Sequence, residues 1–336
     1  MISSLLSSIV GSLKSFINFI SDLPLLIKGR VNYIKKYLAG IRYNLSNLTD
    51  SNLDLGKYHL RIGNYNDAIF RFKLIDSYLD KNNPVANYWL GWGYFFKGKY
   101  NKALYHLEKA GTEDIVGLRD FIQNIDNLTE VPEEICRLHR DIMASSYIDR
   151  FDVAANNIPL KMVSELNAVI TKLSEHYSIL ELGSNIGLVG FEINQRMADG
   201  FSLTGVETSA ELIQLQSLYL RQDQIYNSVI QQDITSYLLD NETKHDIIIS
   251  LDGLSYAANL EPAFNLIKSR LKSGGYFTLA FKTSLVNKFL TNYLEFTYNP
   301  AEIRNTLIKV GFQIKAELEV KSGIRNNYTI FSGIVD

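Results

Sequence analysis

The fold of this chain is decided by residues 179–187, which read Ile-Leu-Glu-Leu-Gly-Ser-Asn-Ile-Gly. A short apolar run, typical of a buried strand, leads directly into a loop with two glycines, and a helical pattern follows. Glycine in such a loop allows a ligand to approach the backbone, because no side chain stands in the way. The usual pattern has a further glycine where this chain has Asn185, a residue type that tolerates left-handed backbone angles. The stretch therefore predicts the first strand, ligand-binding loop and first helix of an α/β domain.

Strand-like and helical patterns alternate after this loop, which predicts a parallel sheet with right-handed crossovers. The last two strand-like runs flank a Ser322-Gly323 turn and predict an antiparallel finish. The predicted strands after the first cover 202–206, 247–249, 276–280, 312–320 and 327–335, and the predicted helices lie near 188–198, 209–222 and 261–272.

Two acidic residues follow at the ends of the next predicted strands. Glu207 lies about twenty residues beyond the glycines, where the acid of a dinucleotide-binding fold accepts hydrogen bonds from both ribose hydroxyls. A solvated acid at a strand end is the alternative, but the paired spacing favours the binding role. Asp233 ends the following strand, although an aspartate at this point can also cap the next helix.

The loop, Glu207, Asp233 and the buried strand over 245–250 together resemble the motif series of class I S-adenosylmethionine-dependent methyltransferases, over residues 145–336. The resemblance implies a Rossmann-like α/β domain with strand order 3-2-1-4-5-7-6 and S-adenosylmethionine as methyl donor, and it leaves the acceptor open. The chain is still more similar to predicted methyltransferases that contain tetratricopeptide repeats. The stretches that carry this closer resemblance are Tyr147–Asp152, Leu260–Phe264 and Leu271–Phe277.

In such enzymes the acid at Asp233 accepts from the adenine amino group, and the next apolar residue, Ile234, packs on the ring. The segment ahead of the loop folds across the cofactor, so Tyr147 and Phe151 are lid candidates, with core aromatics as the alternative. We expect Gly187 to adopt an ordinary backbone angle, since it opens a helix. The residues expected to contact the cofactor are Glu181, Gly183, Ser184, Asn185, Gly187, Glu207, Thr208, Asp233, Ile234, Ser250, Tyr147 and Phe151.

The acceptor is expected beyond the carboxyl ends of the fourth and fifth strands, the crevice where open α/β sheets bind ligands. Asp252 and Tyr256 are the candidate catalytic residues, the first as a general base and the second to orient the acceptor. Lys282 could hold a carboxylate, and Asn259 lies in the same region. The alternatives are an ordinary turn at Asp252-Gly253 and a solvated lysine.

An internal repeat lies between about 51 and 110, where Leu-Gly, Gly-x-Tyr and Ala recur 35 residues apart, as in Gly56 and Gly91. The offset is close to the tetratricopeptide period of about 34 residues, in which small residues let paired helices approach. The segment resembles tetratricopeptide repeats, either as a partner or substrate surface or as a scaffold that covers the catalytic domain. Flanking helices near 25–45 and 113–125 are expected to act as imperfect repeats or caps.

The first of four expected parts of the chain is an N-terminal helix. Residues 1–24 show apolar positions at helical spacing opposite serines, but Lys14, Asp22 and Pro24 make this helix unsuited to span a membrane. It either packs on its helical neighbours or lies in a membrane interface, where basic residues just downstream could meet anionic lipid. The parts are an amphipathic helix at 1–24, tetratricopeptide-like repeats at 25–125, a linker at 126–144 and the methyltransferase domain at 145–336.

Composition narrows the setting of the protein. Lys and Arg total 34 against 36 for Asp and Glu, and the net charge of -2 argues against a nucleic-acid substrate. The single cysteine, Cys136, excludes an internal disulfide and indicates a reducing compartment. We therefore expect a cytoplasmic protein, peripheral to a membrane if residues 1–24 are interfacial. The 5 histidines and the lack of close acid pairs predict no metal site.

The expected function is methyl transfer from S-adenosylmethionine to an unknown acceptor, a small molecule or a protein, with the repeats binding a partner or the substrate. One alternative is a catalytically decayed methyltransferase-like adaptor that acts through its repeats, and Asn185 in place of glycine is its only sequence support. A second alternative is a dinucleotide-dependent oxidoreductase, which shares the loop and the acid. That class has a further glycine and different C-terminal strands.

Overall fold

The computed structural model describes residues 47–146, 157–171, 176–197, 200–220, 225–290, 293–321 and 327–336, together with a few residues between 31 and 40. The predicted helix at 1–24, the lid candidates Tyr147 and Phe151 and the Ser322-Gly323 turn lie outside these residues. Within the described part of the chain, no helix is long and apolar enough to cross a membrane.

The described residues of the N-terminal half form helices and their connections. A π-helical turn, Ile75–Leu79, extends the second of them. The helices are α1 (Leu48–Arg61), α2 (Tyr65–Leu74), α3 (Pro84–Phe96), α4 (Tyr100–Ala110), α5 (Leu118–Gln123) and α6 (Glu133–Met143).

The internal repeat corresponds to two helix pairs with the same packing. Gly56 of α1 lies against the Phe72 ring of α2, and Gly91 of α3 lies against Leu107 of α4 at the equivalent position. A β-carbon at Gly91 would lie 2.5 Å from Leu107 Cδ2, so the glycine is required for the two helices to approach this closely. The turns within the pairs contain left-handed glycines at positions 63 and 98.

The expectation of a linker at 126–144 is wrong, because α6 occupies much of this segment. Pro132 precedes the helix and two glutamates fill its first turn, which suits the positive end of a helix dipole. Its buried side chains include Ile135 and Ile142, at helical spacing. The polar stretch before Pro132 suggested a linker, but it covers only the connection that precedes the helix.

The C-terminal half contains a seven-stranded mixed sheet with the order β3-β2-β1-β4-β5-β9-β8. The first five strands in this order run parallel, and β9 pairs antiparallel with both β5 and β8. The hairpin of β6 and β7 forms a separate sheet, so the main sheet has the expected order 3-2-1-4-5-7-6. The strands are β1 (Tyr177–Leu182), β2 (Phe201–Glu207), β3 (Ser228–Gln231), β4 (His245–Leu251), β5 (Leu271–Thr283), β6 (Lys288–Leu290), β7 (Glu295–Thr297), β8 (Phe312–Val320) and β9 (Asn327–Val335).

Helices cover both faces of this sheet. On one face Leu180, Val206 and Phe277 join Trp92 and other helical residues in one continuous hydrophobic core. The opposite face packs in a second core against the first helix of this half. The helical half therefore shares a core with the sheet. The remaining helices are α7 (Ile158–Val169), α8 (Leu188–Arg196), α9 (Ala210–Leu220), α10 (Ile234–Asp240), α11 (Glu261–Arg270) and α12 (Pro300–Val310).

Glu181 on β1 is a carboxyl group buried in the α/β half, with 1% of the residue exposed. The Tyr226 hydroxyl donates a hydrogen bond of 2.8 Å to its Oε2. Burial raises the pKa of Glu181 to about 8, the nearby charge of Glu207 adds to this effect, and the Tyr226 hydrogen bond opposes it.

We expect Gly91→Ala to lower the free energy of unfolding by about 1–3 kcal/mol, because the added methyl group overpacks against Leu107. Leu107→Ala alone should cost about 2–5 kcal/mol by leaving a cavity. In that background Gly91→Ala should instead stabilise the protein, since alanine is favoured over glycine in a helix by about 1 kcal/mol. Denaturant unfolding of the four proteins measures this change of sign, and a destabilising Gly91→Ala in both backgrounds would contradict the packing.

The raised pKa of Glu181 predicts a pH dependence of stability. Its stabilising contribution is fully present below the ordinary pKa of 4.5 and is lost as the pH rises toward 8. The free energy of unfolding of the wild type, relative to Glu181→Gln, should therefore fall between these pH values and level off above them. Glu242→Gln, at an exposed position, is the control. A difference between wild type and Glu181→Gln that does not vary with pH would contradict the pKa shift.

Candidate active site

The loop after β1 has a left-handed backbone at three positions. The φ angles are 76° at Gly183, 51° at Asn185 and 85° at Gly187. Asn185 therefore adopts the conformation for which asparagine is suited, as expected. The expectation of an ordinary angle at Gly187 is wrong: the chain reverses there before entering α8, and a side chain would be strained.

The loops after β1 and β4 touch through their backbones. A β-carbon at Gly183 would lie 2.8 Å from Gly253 Cα, and one at Gly253 would lie 2.3 Å from the Leu182 carbonyl oxygen. The N–H groups of Gly183 and Ser184 donate to the Val206 carbonyl at 2.9 and 3.0 Å, which ties the loop to β2. The glycine at 183 is thus required by contact between two loops, in addition to any approach of a ligand.

Glu207 lies at the carboxyl end of β2 with 1% of the residue exposed. The backbone N–H of Asn185 donates to its Oε2 at 2.9 Å, and that of Ser209 donates to its Oε1 at 2.9 Å. Arg140 of α6 donates to the same two oxygens, from Nε to Oε1 at 3.0 Å and from Nη2 to Oε2 at 2.6 Å. A carboxylate has about four lone-pair positions, and these four donors use them all.

Arg140 is the principal residue of this site that the sequence did not indicate. It is 7% exposed, its Nη2 also donates to Asn185 Oδ1 at 2.6 Å, and its Nη1 donates to the Tyr256 hydroxyl. The residue lay in the segment expected to be a linker. The available signal was an arginine among the apolar positions of an amphipathic helix, which marks a buried and therefore paired charge.

Other expected cofactor residues hold the loop together. The Ser184 hydroxyl accepts from Gln216 Nε2 at 2.9 Å, and the Ser250 hydroxyl donates to the Leu182 carbonyl at 2.7 Å. Thr208 is half-buried between β2 and α9. Glu181 lies in the core, where its carboxyl group accepts a hydrogen bond from the Tyr226 hydroxyl.

A cavity of about 230 Å³ adjoins the end of β3, and its lining includes Asp233, Ile234, Gly253 and Tyr256. Asp233 also caps α10, because its Oδ1 accepts from the Ser236 N–H at 3.0 Å. Asp233 and Ile234, the two residues expected at the adenine ring, therefore both line this cavity.

The segment before α6 closes this cavity from the helical half. The Val131 N–H donates to the Tyr256 carbonyl and the Ala258 N–H donates to the Thr129 carbonyl, both at 2.8 Å. Cys136 of α6 completes this wall, and burial raises the pKa of its thiol to about 12, so the group stays protonated. The site is thus formed between the two halves of the chain.

Two of the residues expected on the acceptor side take part in a buried network of charges. Asp252, with φ 57°, accepts from the Tyr328 hydroxyl at 2.8 Å through Oδ2, which lies 3.3 Å from Lys282 Nζ. Lys282 also pairs with Glu295 of β7. Burial alone would lower the pKa of Lys282, but the two carboxylates raise it and keep the lysine charged. Lys282 is therefore buried rather than solvated.

Tyr256 lies beside Arg140, whose guanidinium carbon is 5.8 Å from the tyrosine ring centroid. Asn259 is exposed and its side chain accepts from the Glu261 N–H at 3.1 Å. His245 Nδ1, at the opposite end of β4, forms a hydrogen bond of 2.9 Å with the Ser178 hydroxyl on β1. Within the ranges that the structure describes, no group of three or more His, Cys, Asp or Glu side chains could hold a metal ion.

Comparison with known proteins gives one family and several solved structures. Residues 173–299 match the family model described as a methyltransferase domain. The structure of a methyltransferase from Leishmania major, described as S-adenosylmethionine-dependent, is 11% identical, with a TM-score of 0.50 over 60% of this chain and 82% of its own. No curated protein matches.

Two further structures are similar at lower scores. Magnesium protoporphyrin IX methyltransferase from Synechocystis, with bound S-adenosylmethionine, is 16% identical, with a TM-score of 0.47 over 61% of this chain and 97% of its own. A 1,6-didemethyltoxoflavin-N1-methyltransferase from Burkholderia thailandensis is 18% identical, with a TM-score of 0.46 over 61% and 90%. The family match and the strand order agree: residues 173–299 match a methyltransferase domain, and the sheet has the strand order expected of class I methyltransferases.

Proposed function

We propose that this protein transfers the methyl group of S-adenosylmethionine to an acceptor that binds above the carboxyl ends of β4 and β5. The observation that carries the proposal is the carboxylate of Glu207. The N–H groups of Asn185 and Ser209 fix it at the carboxyl end of β2, each at 2.9 Å, and leave two lone-pair positions directed away from the backbone. Two hydroxyl donors of a ribose match that arrangement.

The residue types present fit the cofactor, while the space between them fits only part of it. Asp233 and Ile234 line a cavity of about 230 Å³, below the roughly 300–1,000 Å³ that ligand sites commonly provide. Asp233 would accept from the adenine amino group, and Ile234 would pack on the ring. The ribose would be held by Glu207, at the oxygens that Arg140 now contacts.

When bound, S-adenosylmethionine supplies an electrophilic methyl group. The chain must then hold the acceptor in line and keep water away. Asp252 is our candidate for the general base: it lies next to Gly253, and its buried Oδ1 has no hydrogen-bond partner among the described residues. Lys282 and Tyr328 hold its other oxygen, which fixes the direction of the free one. Tyr256, at the cavity wall, is the candidate for orienting the acceptor.

The helical half is proposed to present the acceptor or a partner protein. The equivalent contacts of Gly56 with Phe72 and of Gly91 with Leu107 support repeated helix pairs of the tetratricopeptide kind. The acceptor is proposed to be a small molecule or a protein, in the cytoplasm. The interfacial role of residues 1–24 stays a prediction.

The adaptor alternative has one structural observation in its favour, the contact of Arg140 with the acid expected to bind ribose. An adaptor without a cofactor could keep this ion pair permanently. Binding of the cofactor separates the two functions, because only the enzyme requires it.

We expect S-adenosylhomocysteine, the demethylated product, to bind with a micromolar dissociation constant in calorimetry, and a nicotinamide dinucleotide to give no heat. Asp233→Asn should weaken binding about three- to tenfold, because a neutral amide accepts a weaker hydrogen bond from the adenine amino group. Asparagine still caps α10, so stability should be unchanged. Asp240→Asn, at the exposed end of the same helix, is the control. If millimolar S-adenosylhomocysteine gave neither heat nor a thermal shift, the proposed methyltransferase function would be refuted.

Transfer itself is tested with a methyl-labelled donor in a lysate of the source cell, separated into small-molecule, lipid and protein fractions. We expect label in one fraction, and Asp252→Asn should reduce it about 100-fold, the scale of general-base catalysis. The affinity of Asp252→Asn for S-adenosylhomocysteine should stay that of the wild type. Undiminished labelling by Asp252→Asn would exclude Asp252 as the general base. No labelling by the wild type would contradict methyl transfer.

A further inference from the structure

Glu207 has no free lone pair with which to bind a ribose. Two positions are taken by the backbone N–H groups of Asn185 and Ser209, which belong to the loops that build the site. The other two are taken by Arg140. Any ligand whose ribose hydroxyls bind this carboxylate must therefore replace the guanidinium, whatever the rest of the ligand contacts.

The guanidinium presents the same pattern of donors as a ribose diol. Its Nε and Nη2 N–H groups point in parallel at the two carboxylate oxygens, a bidentate geometry that arginine forms and lysine does not. The pair is buried, with side-chain exposures of 8% for Arg140 and 1% for Glu207, so solvent screens it little. A second N–H of Nη2 donates to Asn185, and one N–H of Nη1 donates to Tyr256.

We propose that Arg140 is a built-in competitor of the cofactor, which occupies the ribose site of Glu207 and thereby sets the affinity for S-adenosylmethionine. The proposal rests on the proposed function. A site that is open for only a fraction of the time binds its ligand more weakly by that fraction. The charged acid is meanwhile never left buried without a partner, which would itself be costly.

The helix that carries Arg140 is held in place by its neighbours. After the arginine, Asp141 accepts from the Ser209 hydroxyl at 2.6 Å, and Met143 receives a hydrogen bond from Tyr65 at 3.8 Å. Ile135 is fully buried in the shared core. We therefore expect the side chain of Arg140 to rotate away from Glu207 while α6 keeps its place.

The test is calorimetric titration of two ligands, S-adenosylhomocysteine and adenosine, into the full-length protein. Arg140→Ala should bind both about tenfold more tightly than the wild type, since both carry the ribose diol. Arg140→Lys keeps the charge but loses the bidentate guanidinium, so it should tighten the binding of both ligands by less. Arg137→Ala is the matched control, because Arg137 lies one turn earlier on the same helix and pairs with Glu134 at the surface.

A double-mutant cycle assigns the effect to the proposed pair. In a Glu207→Gln background, Arg140→Ala should no longer tighten binding, because the ion pair that competes with ribose is already gone. Thermal unfolding shows which variants are folded. If Arg140→Ala does not fold, Arg140→Lys replaces it in the test, and it should likewise bind both ligands more tightly than the wild type.

The other outcomes overturn the proposal in distinguishable ways. Unchanged affinity of both arginine variants would mean that Arg140 does not compete. Weaker binding of S-adenosylhomocysteine with unchanged adenosine would make Arg140 a ligand of the amino-acid end of the cofactor. Failure of every variant and of the wild type to bind either ligand would refute the proposed function together with the competitor.

Discussion

The contact between the loops after β1 and β4 is the constraint on which the site depends. A β-carbon at Gly183 would meet Gly253 Cα, and one at Gly253 would meet the Leu182 carbonyl at the end of β1. This approach is possible because β1 and β4 are parallel neighbours whose carboxyl ends meet at one edge of the sheet. It places Asp252 beside the glycine loop, and the same loop bonds to β2 next to Glu207. The proposed cofactor and acceptor residues thus become neighbours because two residues without side chains let the chain segments approach.

The domain boundary is the second determinant of the site. The cavity at Asp233 is closed by the segment that precedes α6, and the acid at Glu207 is paired with an arginine from α6. Removing one partner from a buried ion pair costs several kcal/mol, about 3–5, so the pair links the helical half to the catalytic half energetically as well as through the shared core.

The buried charges on the acceptor side follow a similar principle. Lys282 lies between the carboxylates of Asp252 and Glu295, and each of these residues is less than one tenth exposed. Glu295 belongs to the small β6–β7 hairpin, an insertion between β5 and α12. The hairpin therefore contributes a charge to the network around Asp252, whose buried Oδ1 has no hydrogen-bond partner among the described residues. Three elements distant in sequence, β5, β7 and β9, thus meet around one carboxylate.

The sequence by itself determined the alternation of strands and helices, the left-handed backbone at Asn185 and the equivalence of the two helix pairs. These features are local: each follows from the spacing of apolar residues within one element or from the conformational preference of one residue type. Only the tertiary structure decided the helix over 133–143, the left-handed angle at Gly187 and the pairing of Arg140 with Glu207. That pair joins residues 67 positions apart. A pattern within one element records which face is buried, but it does not record which distant charge will meet that face, because that depends on how the elements pack.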